Sequence, residues 1–459
     1  MSTDLRRFWR LGLIICASLA LLAAALGGVG VLRGPALARA TFAVDRAVAT
    51  AGTRLVLTSR QPLREVAAGQ VTITPTVPFT VETRDSALTI RFSAPLAYGT
   101  DYTVEVTGVR SQFTDQAADW RHNFATPPAT VYSLVAHASD AAAPDDSIVT
   151  GEKGSELEVL SAPGIAEFTA TKNHVVAISR VNDQSSDLVA VRRVDEAPVA
   201  VQVPKVPALA LLRASWDGSR FGYTANGTDS ASGTNHDNTL FVQDDDLGTA
   251  PVEITNGGTP LAVQEWLFVP GVAALVALSI QGQAYLIYLD SDAPGIALGS
   301  LAQLVGFLPG TTSLVAEASG KEVLIDLAGG TTSPIAPAVD AAGDNLAGRR
   351  TLLGTDDYVA EYNQVQRSDG EQGIVTRLTR VTGGRMTVLA ELGPELGQVL
   401  DSGTSRNGEF VWAVVLPPDA PLEDLTSGAS DHAITLIYDL ASGENVARLP
   451  GSTPVWAVD

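Results

Sequence analysis

Between residues 41 and 127, apolar and polar positions alternate, or gather into short β-rich runs, in RLVLTS, VTITPTV, ALTIRFS, DYTVEVTGV and HNFAT. Pro, Gly and Asp separate the runs, and a period of two broken by turn residues marks strands. The spacing predicts an antiparallel β-sandwich of about 85 residues. Further along, FVPGVAALVA (Phe268 to Ala277) returns as FLPGTTSLVA (Phe307 to Ala316), with the Pro-Gly turn in register. Such a repeat is one supersecondary unit, here strand, tight turn and strand, that buries its apolar face only by stacking on its neighbours.

Polar or Pro-Gly turns between two apolar strands recur at Lys172-Asn173, Asp217-Gly218, Pro270-Gly271, Pro309-Gly310, Asp356-Asp357 and Asn407-Gly408. They come about every 47 residues, so residues 130–459 hold about seven units. The architecture predicted is a β-propeller of seven blades, with six as the alternative. One unit is composite: the terminal PVWAVD supplies the inner strand of a blade whose other strands are VYSLVAH, DSIVT and ELEVLSA. That closure joins the two ends of the region and leaves no open sheet edge.

The pattern changes at the N-terminus, where Leu11 to Leu32 form an uncharged apolar stretch behind Arg6, Arg7 and Arg10. At about 1.5 Å per residue it spans a hydrocarbon core of about 30 Å. The leading arginines outnumber Arg33 and Arg39 behind the stretch, which puts the N-terminus in the cytoplasm and the rest outside. The domain order expected is a cytoplasmic tail (1–10), a transmembrane signal anchor (11–32), a linker (33–40), the sandwich (41–127) and the propeller (130–459). A leader cleaved after Ala40, at the A-x-A site Ala38-Arg39-Ala40, is the competing reading and would make the protein secreted; the apolar stretch is long for a leader. Leu13-Ile14-Ile15-Cys16 is not a lipoprotein site, because Ile15 is bulky where a small residue belongs.

Cys16 is the only cysteine, so the exported portion has no disulfide and no thiolate metal site. The apolar share of 45%, with 42 Gly and 25 Pro, fits a large all-β chain rather than a disordered stalk. A net charge of -21 argues against nucleic acid and against docking on anionic lipid head groups, and leaves divalent cations or basic partners as the permitted company. Lysine occurs only at 153, 172, 205 and 321; with abundant alanine this suggests a high-GC bacterial genome.

APLAYGTDYTVEVTGV followed by NFATP, within Pro95 to Thr126, resembles the bacterial Ig-like domains of the SbsA type, which serve mostly as spacers and adhesive units in surface proteins. Within that resemblance Tyr98 and Tyr102 are expected to pack the sandwich edge. SWDGSRFGYTA (Ser215 to Ala225) and SRNGEFVWAVV (Ser405 to Val415) resemble the Ser-Pro-Asp-Gly turn of TolB-like and Trp-Asp-repeat-like propellers, although neither has the proline. NTLFVQD, QAYLIYLD, KEVLIDLAGG and AITLIYDLASG are similar to the outer hairpins of that family. The resemblance implies a propeller in a membrane-anchored envelope protein and names no ligand.

Local chemistry explains the same residues without function. Asp-Gly and Asn-Gly supply positive φ in tight turns and Asp side chains accept turn amides, so Asp217, Asp326 and Asp439 are expected as turn residues. Trp216, Trp266, Trp412 and Trp456 fall near inner strands, where packing between blades is the simpler reading than a sugar-stacking platform. VLDSGT (Val399 to Thr404) matches the aspartic-protease pattern around Asp401, but a dyad needs a second such Asp and none follows. The acidic loop Gln243 to Gly248 lacks the spaced ligands of a calcium loop, and it and Asp145-Asp146 read as solvated turns. His122, His137, His174, His236 and His432 are scattered, and there is no HExxH, nucleophile elbow, phosphate loop or dinucleotide fingerprint.

No catalytic, cofactor or metal residue is nominated, and no cofactor is expected. The reading carried forward is a non-enzymatic, membrane-anchored extracytoplasmic protein whose propeller binds an envelope protein. An adhesin or glycan binder is one alternative, and a hydrolase or lyase with its site in the central funnel is the other.

Overall fold

The fold is that of a computed structural model, which describes residues 17–18, 34–137, 145–182, 185–192, 197–291, 293–339, 345–368, 371–421 and 430–457. The predicted membrane span 11–32 lies outside the described residues apart from Ala17 and Ser18. Among the described residues no helix is long and apolar enough to cross a membrane. The chain divides into two units, one made of residues up to Pro127 without Val48–Thr50, the other of Val48–Thr50 with Pro128–Asp459.

The first unit has two antiparallel sheets. Leu37–Thr41, Arg54–Ser59, Ala87–Phe92 and Phe79–Arg84 form the four-stranded sheet, and Val71–Thr74, Asp101–Arg110 and Ala117–Ala125 the three-stranded one. Their facing side chains share one core, with Leu55, Leu57, Leu88 and Ile90 from one sheet and Ile73, Val104 and Val106 from the other. Burial alternates along these strands, as in Val71–Thr74 and Arg54–Ser59, because each sheet has one face on the core and one in water. The linker expected at 33–40 is corrected: its second half enters the edge strand Leu37–Thr41, paired with Arg54–Ser59. Pro35 is tied down as well, its carbonyl accepting from Trp120 Nε1 at 2.6 Å. Tyr102 is buried and stacks on Phe124 with ring centroids 5.3 Å apart.

The second unit is a β-propeller. Its repeating element is a four-stranded antiparallel meander, and among the described residues there are seven such sheets. Numbered from the N-terminal side, the second to seventh begin with the inner strands Ile165–Ala170, Ala208–Ala214, Val263–Phe268, Gln303–Phe307, Asn345–Leu352 and Gln398–Thr404, each followed in order by three more strands. The first is composite: Ser452–Trp456 pairs with Val131–Val135, which continues to Asp146–Thr150 and Leu157–Ala162. The hydrogen-bonded closure therefore joins the last strand of the region to its first.

The second strands read as continuous apolar runs, and Ala274–Ser279 (ALVALS) is buried at all six positions. A blade is covered on both faces by its neighbours, so the alternation of a half-solvated sheet disappears. Each buried Leu or Val there stabilises by about 1.5–3 kcal/mol, more than any surface ion pair on the rim, so apolar packing holds the blades together. The turn pairs anticipated from the sequence lie at the junction of the first and second strands of sheets two to seven. Gly218, Gly271, Gly310 and Gly408 have φ of 64°, 70°, 68° and 71°, the left-handed conformation a residue with a Cβ resists. Asp217, Asp326 and Asp439 accept turn amides from Ser219, Ala328 and Ala441, as expected.

Candidate functional site

Polar side chains inside the propeller fall into two sets. One set joins neighbouring sheets. Asp146, read from the sequence as part of a solvated turn, is instead buried; its carboxylate accepts from His137 N at 2.8 Å and from Ile165 N of the second sheet at 2.7 Å. Asp245, read the same way, is 3% exposed and is the most heavily used acceptor of the set. Its Oδ1 accepts from Thr171 Oγ1 and lies 2.9 Å from His174 Nδ1, and its Oδ2 accepts from Asn173 N at 2.8 Å and Asn173 Nδ2 at 2.6 Å. All three donors belong to the turn of the second sheet, whereas Asp245 follows the third strand of the third sheet. Hydroxyl and imidazole meet on one carboxylate oxygen, so the imidazole does not stand between hydroxyl and acid as a nucleophile relay requires.

The same device recurs at a β-bulge in the inner strands. The register shifts just before Glu167, Glu265 and Asp401, which therefore occupy equivalent places in three sheets. Glu167 accepts from Leu211 N (3.0 Å) and Leu212 N (2.7 Å) of the next sheet, and Glu265 from Leu304 N (2.6 Å) of the next. Asp401, one methylene shorter, accepts from its own neighbour Ser402 N instead. Ser402 Oγ donates to Glu361 of the sixth sheet. Burial raises the carboxyl pKa of Glu361, helped by the Asp401 charge and opposed by the Ser402 hydrogen bond; burial raises that of Asp401 as well. The two carboxyls share a neighbourhood, but neither lines the channel cavity described below.

The second set surrounds the channel, where a cavity of about 350 Å³ is lined by the inner strands of the first to fifth and the seventh sheets. Arg213, Trp216, Phe307, Arg406, Trp412 and Trp456 give it its character, and among the described residues its lining contains no Asp, Glu, His, Lys, Ser or Cys. The guanidinium of Arg406 lies over the Trp216 ring, 5.8 Å from its centre, within cation-π range. Trp216 is itself fixed by donating from Nε1 to Phe268 O at 3.0 Å. Burial lowers the pKa of Arg213, and the charges of Glu167 and Glu265 oppose that shift. Those carboxylates, held on backbone amides outside the cavity wall, compensate a guanidinium that would otherwise be costly to bury.

Residues of this wall also carry buried donors that have no acceptor in the protein. Arg213 Nε and Trp456 Nε1 are buried and make no hydrogen bond. An unmatched buried donor costs about 1–3 kcal/mol, and native proteins carry few of them. The tryptophans assigned to packing between blades thus divide. Trp266 is fully buried and donates to Leu211 O at 3.1 Å, as packing predicts, whereas Trp216, Trp412 and Trp456 line the cavity. Sequence reasoning missed the two arginines altogether, since neither stands in a motif. Among the described residues there is no group of three or more His, Cys, Asp or Glu able to hold a metal ion.

No family model matches the chain. No curated protein matches it either. Similar solved structures include a protein from Lactobacillus plantarum (11% identity, 72% of this chain and 99% of that one, TM-score 0.43). A putative 6-phosphogluconolactonase from Bacteroides uniformis is similar at 15% identity over 71% and 98%, with a TM-score of 0.40. The β-propeller domain of Cps50 (Swd1) from Myceliophteria thermophila is similar at 11% over 64% and 88%, with a TM-score of 0.37. These likenesses concern the propeller fold and carry nothing about activity.

Proposed function

We propose that this chain is a non-enzymatic binding scaffold on the outer side of a bacterial cell membrane, held there by residues 11–32. In this reading the sandwich is an Ig-like spacer and the seven-sheet propeller, of TolB-like type, is the module that engages an envelope protein. The observation that carries it is the cavity wall, which among the described residues combines aromatic rings and guanidinium groups without an acid or base placed to do chemistry. Such a wall recognises and orients a group rather than transforming it. The Asp401 neighbourhood does not favour hydrolysis, because the carboxylate stands outside the cavity.

The test is in-cell crosslinking of the full-length chain, with mass spectrometry of species captured from the membrane fraction and protease digestion of intact cells. The expected result is a membrane-bound chain cleaved from outside, together with reproducible capture of one envelope protein. A chain found in the cytoplasm, or turnover of an ester, lactone or peptide panel that the purified protein accelerates, would overturn the reading.

A further inference from the structure

The channel wall is more specific than a generic binding surface. Among the described residues its charged side chains are Arg213 and Arg406, in a chain with 51 acidic residues against 30 basic ones. Arg213 and Trp456 come from the third and first sheets, which the ring brings to one cavity, and Arg213 Nε and Trp456 Nε1 are enclosed by the wall itself. Around them the wall is apolar and aromatic, with Phe307 and Trp412 among its members. A ligand completing this site must supply oxygen acceptors at one end and an apolar body at the other.

We propose that the channel cavity binds an organic carboxylate with an apolar or aromatic body, its oxygens held by the Arg213 and Arg406 guanidinium groups and its body packed on the aromatic wall that includes Trp456. The inference deepens the scaffold reading by naming the chemistry of what enters the propeller. A carboxylate suits the site better than a neutral amide, because guanidinium matches its two oxygens and hydrogen bonds to an ionised acceptor are about twice as strong as neutral ones. Glu167 and Glu265 sit behind Arg213, so the charge the ligand meets is local, and binding should depend on hydrogen bonding more than on long-range attraction. The shared chemistry has two sources, a free small acid or the terminal carboxylate of a protein chain.

The experiment titrates the purified full-length chain, in a non-ionic detergent, with 3-phenylpropionate, its amide, and acetyl-Ala-Phe as free acid and as amide. Saturation-transfer NMR reports binding, and tryptophan emission reports the place. At least one acid is expected to bind ten-fold or more tighter than its amide, with a change in emission. Arg213→Gln and Arg406→Gln should each weaken that acid at least ten-fold, Arg213→Lys should restore part of the loss, and Trp456→Phe should cost a few-fold; circular dichroism checks that each variant is folded. Preference for phenylpropionate identifies a free acid, and preference for the peptide acid a protein terminus. Binding of neither acid, equal binding of acids and amides, or acid binding unchanged in both glutamine variants would overturn the proposal. Failure to capture an envelope protein in cells, with the acid titration intact, would remove the scaffold reading and leave this site standing.

Discussion

The Asp245 cluster and the channel wall are both buried and polar, yet they are built on opposite rules. Around Asp245 every donor has an acceptor: Thr171, Asn173 and His174 converge on one carboxylate. In the channel, Arg213 Nε and Trp456 Nε1 have none. A satisfied network rigidifies the contact between two sheets, whereas unmatched donors raise the energy of the protein until something else supplies the acceptor. The difference separates polar groups that hold the propeller together from polar groups that the protein itself leaves unmatched.

The contrast breaks most visibly at its two ends. Asp245→Ala leaves the backbone and side-chain amides of Asn173 and the His174 imidazole without their acceptor, and urea denaturation should show a loss of about 3–5 kcal/mol. The matched pair of tryptophans sharpens the same point. Trp266→Phe orphans Leu211 O in a filled interface and should cost about 2–3 kcal/mol, while Trp456→Phe gives up no hydrogen bond within the protein and should cost about 1 kcal/mol, by the same measurement. Equal losses for the two would place Trp456 among the packing residues.

The smallest effect concerns pH. Burial raises the pKa of Glu361 in the folded protein, so folding favours its protonated form. That contribution is fully present below the unfolded carboxyl value and is lost as pH rises through the folded one. Glu361→Gln, which still offers Ser402 an acceptor, should therefore gain on the parent in urea midpoint between pH 4 and pH 7. A difference that stays flat across that range would show that Glu361 is not held in an environment hostile to its charge.

Much of the fold was legible from local chemistry. Gly218, Gly271, Gly310 and Gly408 mark turns because positive φ is a property of the residue, and PVWAVD could be assigned to the composite sheet because an isolated terminal strand needs a partner. The edge strand Leu37–Thr41 escaped notice because it alternates weakly and its partner, Arg54–Ser59, fixes it. Asp146 and Asp245 were misread for a related reason: an acidic residue in a Pro- or Gly-bounded loop resembles a solvated turn until the next sheet brings backbone amides to it.

Strand periodicity, turn positions, the apolar N-terminal stretch and the acidic balance are written in the chain itself, because each depends on neighbours a few residues away. The pairing of polar groups is not. Asp245 meets His174 from 71 residues away, and Arg213, Arg406 and Trp456 become one wall only when the ring closes. Whether a buried donor finds an acceptor depends on positions fixed by the packing of successive sheets, and that physical fact, invisible in any local pattern, is what turns three unremarkable side chains into a binding site.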